Sequence, residues 1–166
     1  MTVVAYIGFG ANLGDRETAF DAASQALAEM PGTVVLGRSR LYETDPVGLV
    51  DQGPVFLNAV IEVQTDLSPA EIMDGMRKIE LDLGKAPDHQ SDRSRAIDLD
   101  LLLYGDRIVR EDGIMVPHPR MHTRAFVLVP LEELAPQLVV PTLDLSVRDL
   151  LLGLPETERR GVRSLE

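Results

Sequence analysis

Asp98 and Asp100 stand two apart in Ile97-Asp98-Leu99-Asp100-Leu101-Leu102-Leu103-Tyr104, a run that is otherwise apolar. In a strand, side chains at i and i+2 leave the same face, roughly 6–7 Å apart. The two carboxylates therefore point together, while Ile97, Leu99, Leu101 and Leu103 point to the opposite face. Carboxylates on a core strand are costly unless something pairs with them. Two side by side repel unless a cation lies between them. Oxygen-only ligation by one or two carboxylates, completed by phosphate oxygens, suits Mg²⁺. The same pattern also suits an edge strand whose aspartates are solvated or paired with Arg93 and Arg95.

A second set of residues suits anions. The chain is acidic, with a net charge of −11, yet nine of its sixteen Lys and Arg residues fall between Arg77 and Arg124. Such a cluster can hold a polyphosphate, or it can be a set of ordinary solvated cations. His118 and His122 are four apart, but no Glu stands at the zincin position and Pro119 disturbs a helix, so zinc is not expected. His118, held between Pro117 and Pro119, suits a phosphate or hydroxyl contact, or a hydrogen bond within the core. Phe56 and Asn58 share one face of a strand. An aromatic beside an amide can stack a flat heterocycle and read its edge, or the Phe can simply be core. Gly8, Gly10 and Gly14 do not match a dinucleotide fingerprint, because Leu13 stands where its third Gly belongs. No P-loop is present.

The elements that must position these residues follow from periodicity and punctuation. Residues 3–9, 33–42 and 55–64 read as strands, and the acidic run from 97 is another. Phe20, Ala23, Leu27 and Met30 give a helix over 16–30 that Pro31-Gly32 stops. Ser68-Pro69-Ala70-Glu71 is a capping box that opens a second helix, ending at Gly84. A short strand is expected near 107–109, a helix over 124–134 and a last helix capped by Ser146. Residues 85–96 form a polar loop. The order strand, helix, strand, strand, helix, strand predicts an α+β, ferredoxin-like split βαβ fold: a mostly antiparallel sheet with helices on one face, extended by C-terminal elements.

At 166 residues and 45% apolar content the chain suits one domain, 1–166, with 156–166 a polar tail. The absence of cysteine excludes a disulfide framework, a thiolate zinc site and a Cys nucleophile. Acidity argues against nucleic acid and anionic membrane as partners, and no apolar run reaches membrane-spanning length. Met1-Thr2-Val3-Val4-Ala5 lacks the basic region of a signal peptide, so a cytoplasmic location is expected, and the chain is expected to act as a monomer.

Six segments occur in a telling order: Gly8-x-Gly-Ala-Asn-Leu-Gly14, Tyr42-Glu-Thr-Asp-Pro-Val-Gly48, Phe56-Leu-Asn-Ala59, Ile79-Glu-x-x-x-Gly84, Arg95-Ala-Ile-Asp-Leu-Asp100 and Val116-Pro-His-Pro-Arg-Met-His-x-Arg-Ala-Phe-Val-Leu128. Together they resemble the 6-hydroxymethyl-7,8-dihydropterin pyrophosphokinase family of folate biosynthesis, from about residue 3 to residue 150. The resemblance implies transfer of the β,γ-pyrophosphoryl group of ATP to the pterin hydroxymethyl oxygen, with release of AMP and use of two Mg²⁺. It implies that Asp98 and Asp100 bind both metals and, with Arg95 and Arg124, form the catalytic set. Glu80, Lys85, Arg95, His118 and Arg124 would hold ATP. Thr44, Asp45, Val47, Phe56, Asn58 and Phe126 would hold the pterin, the two Phe rings as a sandwich.

One region departs from the family pattern. Ser91-Asp92-Arg93-Ser94-Arg95 replaces Arg-Trp-Gly-Pro-Arg, and the chain has no Trp. Arg77 replaces a common Gln, Lys85 an Arg, and Pro87 another Arg. These positions line the lid over ATP in the family, so closure is expected to depend on ionic contacts of Arg93 and Arg95. The alternative function is a pterin- and nucleotide-binding regulatory protein with weakened or lost turnover. A third class, an RNA-binding ferredoxin-like domain, is disfavoured by the acidity and the 4% aromatic content.

Overall fold

The computed structural model describes residues 2–11, 15–44, 56–84 and 97–165. The expected polar loop 85–96, with Lys85, Arg93 and Arg95, lies outside them, as do Asp45 and Val47.

The main sheet has six strands. β1 (Val3–Ala11) lies between β4 (Phe56–Thr65) and β5 (Asp98–Tyr104), and β4 also pairs with β2 (Thr33–Arg38) and β3 (Tyr42–Thr44). β10 (Val162–Ser164) adds to β3, and every pairing is antiparallel. Helices α1 (Arg16–Ala28) and α2 (Pro69–Asp82) connect the strands as a split βαβ unit. The fold is the ferredoxin-like α+β arrangement.

Local sequence sets most boundaries. Asp15 caps α1 by accepting from the Thr18 amide. Ser68 and Glu71 form the full capping box of α2. Gly105 takes the left-handed conformation, φ 56°, that a turn after β5 requires. The strand expected near 107–109 forms later, as β6 (Val109–Glu111), because Asp112 and Gly113 both have positive φ and close a two-residue hairpin to β7 (Ile114–Val116). The strand expected over 33–42 breaks in two. A register shift between Val35 and Gly37 bends it, and Ser39 then bonds Val60 through both its amide and its hydroxyl.

Helices cover both faces of the sheet, not one. Ala59, Val60 and Ile61 are consecutive and all buried, and such a run needs cover on each side. Ile61, Phe9, Ile72 and Met76 form a core beneath α1 and α2. Val60, Tyr6, Leu128 and Leu131 form a second beneath α3 (Ala125–Leu134) and α4 (Val147–Leu152), which Ser146 caps. Tyr42 on β3 donates its hydroxyl to Glu133 of α3 at 2.7 Å, and burial and that carboxylate push the phenol pKa up. A hairpin of β8 (Val139–Val140) and β9 (Leu145–Ser146) joins α3 to α4.

Two expectations are revised. Leu103 does not share the face of Leu99 and Leu101. Tyr6 opposes Leu103 and Ile7 opposes Leu101, so Leu102 is an extra, bulged residue, and Leu102 and Leu103 both pack in the α3-side core. Residues 156–165, expected as a polar tail, contain α5 (Glu156–Arg160) and β10. Among the described residues, no helix is long and apolar enough to cross a membrane.

Candidate active site

The face of the main sheet toward α3 carries the site. Asp98 opposes Gly10 across β5 and β1, Gly10 opposes Asn58 on β4, and Asn58 opposes Tyr42 on β3. In the next row, Asp100 opposes Gly8, which opposes Val60. The two glycines thus lie between the acid pair and Asn58 and leave an open floor. A Cβ on Gly10 would approach Asn58 Nδ2 to 3.2 Å, so any larger residue there narrows the floor. Spacing of two on a strand is the signal that could have placed Gly8 and Gly10 in the site. The strand expected over 3–9 runs two residues further, through Ala11, and so brings Gly10 into the sheet.

Above this floor is a cavity of about 650 Å³. Thr44 and Phe56, paired on β3 and β4, form one side. Phe126 and Arg124, at the start of α3, form another, with the Arg124 guanidinium carbon 5.5 Å from the Phe126 ring centre. Asp98 and Asp100 stand at one end. The structure therefore brings seven of the expected site residues, Thr44, Phe56, Asn58, Asp98, Asp100, Arg124 and Phe126, into one cavity. Asn58 Oδ1 and Thr44 Oγ1 are buried and have no hydrogen-bond partner among the described residues. Buried polar atoms are normally satisfied, so these two call for a bound group.

Asp98 and Asp100 also border a second cavity of about 310 Å³, lined by Arg77 and Glu80 of α2. The acid pair stands where the two cavities meet. Glu80 is buried, and its Oε2 accepts from the Leu99 amide at 2.7 Å. That amide lies between the two aspartates on an edge strand. Glu80 thereby fixes the backbone from which both carboxylates project. This bond spans 19 residues and has no local sequence signal. Glu80→Ala should lower kcat by about tenfold or more and raise the Mg²⁺ concentration for half-maximal rate, because losing a hydrogen bond to a charged group costs about 1.5–3 kcal/mol. A Mg²⁺ titration of the variant's rate checks this, and an unchanged profile would sink the backbone role.

His118 lines neither cavity. Its amide donates to the Leu102 carbonyl at 2.9 Å, which ties it to β5, and its Nδ1 accepts from the Arg120 amide at 3.2 Å. Burial holds its pKa below the usual imidazole value, against the opposing pull of Asp100. With Nδ1 accepting, the neutral ring carries its proton on Nε2. Of the six described members of the basic cluster, three take local partners. Arg77 bonds Asp74, Lys78 bonds Asp82, and Arg107 lies over the Tyr104 ring. Among the described cations only Arg124 lines the larger cavity. Thr123, Glu158 and Val162 also line it and were not anticipated.

A family profile described as 7,8-dihydro-6-hydroxymethylpterin-pyrophosphokinase (HPPK) matches residues 6–136. A 2-amino-4-hydroxy-6-hydroxymethyldihydropteridine pyrophosphokinase of Bacillus subtilis is 41% identical over 82% of this chain and 81% of its own length. The protein of that name from Haemophilus influenzae is 37% identical over 84% of this chain and 86% of its own length. Among solved structures, an HPPK-DHPS in complex with substrates superposes with a TM-score of 0.71 at 13% identity, over 90% of this chain and 43% of that one. The wild-type HPPK-DHPS of Plasmodium falciparum gives 0.70 at 14% identity, over 92% and 44%. This chain spans less than half of those two proteins, and the likeness to them is one of fold.

Proposed function

Since the chain belongs to the 7,8-dihydro-6-hydroxymethylpterin-pyrophosphokinase family, we propose that its larger cavity holds the pterin between Phe56 and Phe126, with the ATP phosphates beside Asp98, Asp100 and Arg124. The reaction is transfer of pyrophosphate from ATP to 2-amino-4-hydroxy-6-hydroxymethyldihydropteridine, a step of folate biosynthesis. ATP is the co-substrate. The observation that carries the assignment of the cavity is its division. Unsatisfied Asn58 and Thr44, with Phe56, lie on the β4 side of a glycine floor and two carboxylates on the β5 side, while Phe126 and Arg124 line the same cavity from the start of α3.

That division suits the chemistry. The amide of Asn58 and the hydroxyl of Thr44 match a heterocycle edge, and a flat ring fits beside Phe56 and Phe126. Asp98 and Asp100 form an all-oxygen pair of the type Mg²⁺ takes, and with only two carboxylates they leave positions for phosphate oxygens and water. Bound there, Mg²⁺ supplies neutralisation of phosphate charge. Arg124 adds a fixed positive charge to the same cavity from the start of α3. Its planar donors suit phosphate oxygens. Glu80 keeps the aspartates in place. Pyrophosphoryl transfer asks chiefly for positioning and charge stabilisation. None of these side chains has to act as a strong base.

The test is to incubate the protein with ATP, MgCl₂ and the dihydropterin and to resolve the nucleotides. AMP should accumulate in step with the pterin diphosphate. ADP as product, or pterin binding with no AMP, would overturn the assignment.

A further inference from the structure

The last ten described residues help to build the cavity. β10 pairs with β3 so that Val162 opposes Thr44 and Ser164 opposes Tyr42. The Leu165 amide continues the contact by donating to the Leu41 carbonyl at 3.1 Å. Val162 thus stands beside Thr44, which is itself paired with Phe56. Gly161 turns the chain from α5 into β10, and α5 packs against α3. Glu158, Gly161 and Val162 line the same cavity as Phe56 and Phe126. The family profile stops at residue 136, so this wall comes from chain that the profile itself does not match.

Glu158 is the informative residue on that wall. Four charged residues line the cavity among those described. Asp98, Asp100 and Arg124 serve the phosphate side, which leaves Glu158. Its carboxylate has no hydrogen bond or ion pair with any other described residue, whereas the neighbouring Glu156 is paired with Arg160 at 2.8 Å. A carboxylate only accepts hydrogen bonds. Asn58 Oδ1, in the same cavity, also only accepts and is unsatisfied. Asn58 Oδ1 is buried, so it calls for a ligand edge that donates, whereas the carboxylate of Glu158 is exposed and would exchange water for the same edge. The amino group of a 2-amino-4-hydroxypteridine is such an edge.

We propose that Glu158 is a specificity-determining residue that accepts from the amino-bearing edge of the pterin, while Val162 covers the ring beside Thr44. The proposal rests on the cavity holding the pterin. Calorimetry on the full chain with a nonhydrolysable ATP analogue tests it, using wild type, Glu158→Gln and Phe56→Ala. The ligands are the dihydropterin and its analogue with hydrogen in place of the 2-amino group. Glu158→Gln should weaken the dihydropterin roughly fivefold or more, and the desamino analogue by less than about twofold, because only the former offers the donor. Affinity for the ATP analogue should stay unchanged. Equal binding of the dihydropterin by Glu158→Gln and wild type would overturn the proposal. Equal losses for both pterins would overturn it too, since they would make Glu158 part of the wall's structure only. If wild type fails to bind the dihydropterin, or Phe56→Ala binds it normally, the pterin assignment itself falls. If Phe56→Ala weakens it and Glu158→Gln does not, only the role of Glu158 falls.

Discussion

Asp98→Ala and Asp100→Ala should each lower turnover by at least about 10²-fold, the scale on which a single lost electrostatic stabiliser acts. Both carboxylates leave the same face of β5, opposite Gly10 and Gly8, and both border the two cavities. Removing either leaves half of an oxygen donor pair. The double variant should lose little more than the worse single one, because the pair acts as a unit. Rates at saturating ATP and dihydropterin, over a Mg²⁺ series, measure this. Asp100 is exposed and Asp98 half-buried, so neither change empties the core, and the variants should keep the wild-type unfolding midpoint. Near-normal turnover in either variant would refute the metal assignment. Chelation of divalent metal should abolish wild-type activity and restore it on adding Mg²⁺.

The second large effect concerns the rings. Phe56→Ala and Phe126→Ala should each weaken the dihydropterin, by roughly 5- to 150-fold if stacking on a flat heterocycle is worth the ~1–3 kcal/mol seen for bases on aromatic side chains. The two should differ in kcat. Phe126 has the Arg124 guanidinium over its ring, so its loss also frees the cation that shares the cavity with the acid pair. Phe56 sits on β4, where its cross-strand partner is Thr44. Phe56→Ala is therefore expected to act on dihydropterin affinity alone, and Phe126→Ala on affinity and kcat. Calorimetry together with steady-state rates separates the two. Unchanged affinity in both variants would remove the sandwich.

Much of this was legible in the chain because it is local. A period of two placed Asp98 and Asp100 on one face, and Ser68 with Glu71 announced the start of α2. The pairing of Phe56 with Asn58 followed from the same alternation. What escaped depended on contacts between distant parts of the chain. The Glu80 carboxylate takes the Leu99 amide from another element. Residues 156–165 carry no strong periodicity, and their strand exists only because β3 offers it an edge. The second face of helices was hinted at by Ala59-Val60-Ile61, but no spacing rule says that α3 supplies the cover. Arg124, His118 and Phe126 gained roles through resemblance, since their places depend on how α3 docks. Leu103 went to the wrong face because one bulged residue reverses an alternation that the sequence alone continues.

That bulge separates two properties of β5. The pairing sums are constant on each side of it, Ala5↔Tyr104 and Tyr6↔Leu103 on one, Ile7↔Leu101 through Gly10↔Asp98 on the other. Deleting Leu102 would therefore leave every remaining cross-strand partner unchanged, and a continuous ladder would close over the gap. The carbonyl that receives the His118 amide would go with it. A shortened chain could keep its topology and lose the tether between the Pro-His-Pro segment and the acidic strand. In this strand, length is a functional variable more than a folding one, and insertion or deletion will expose the difference where substitution cannot.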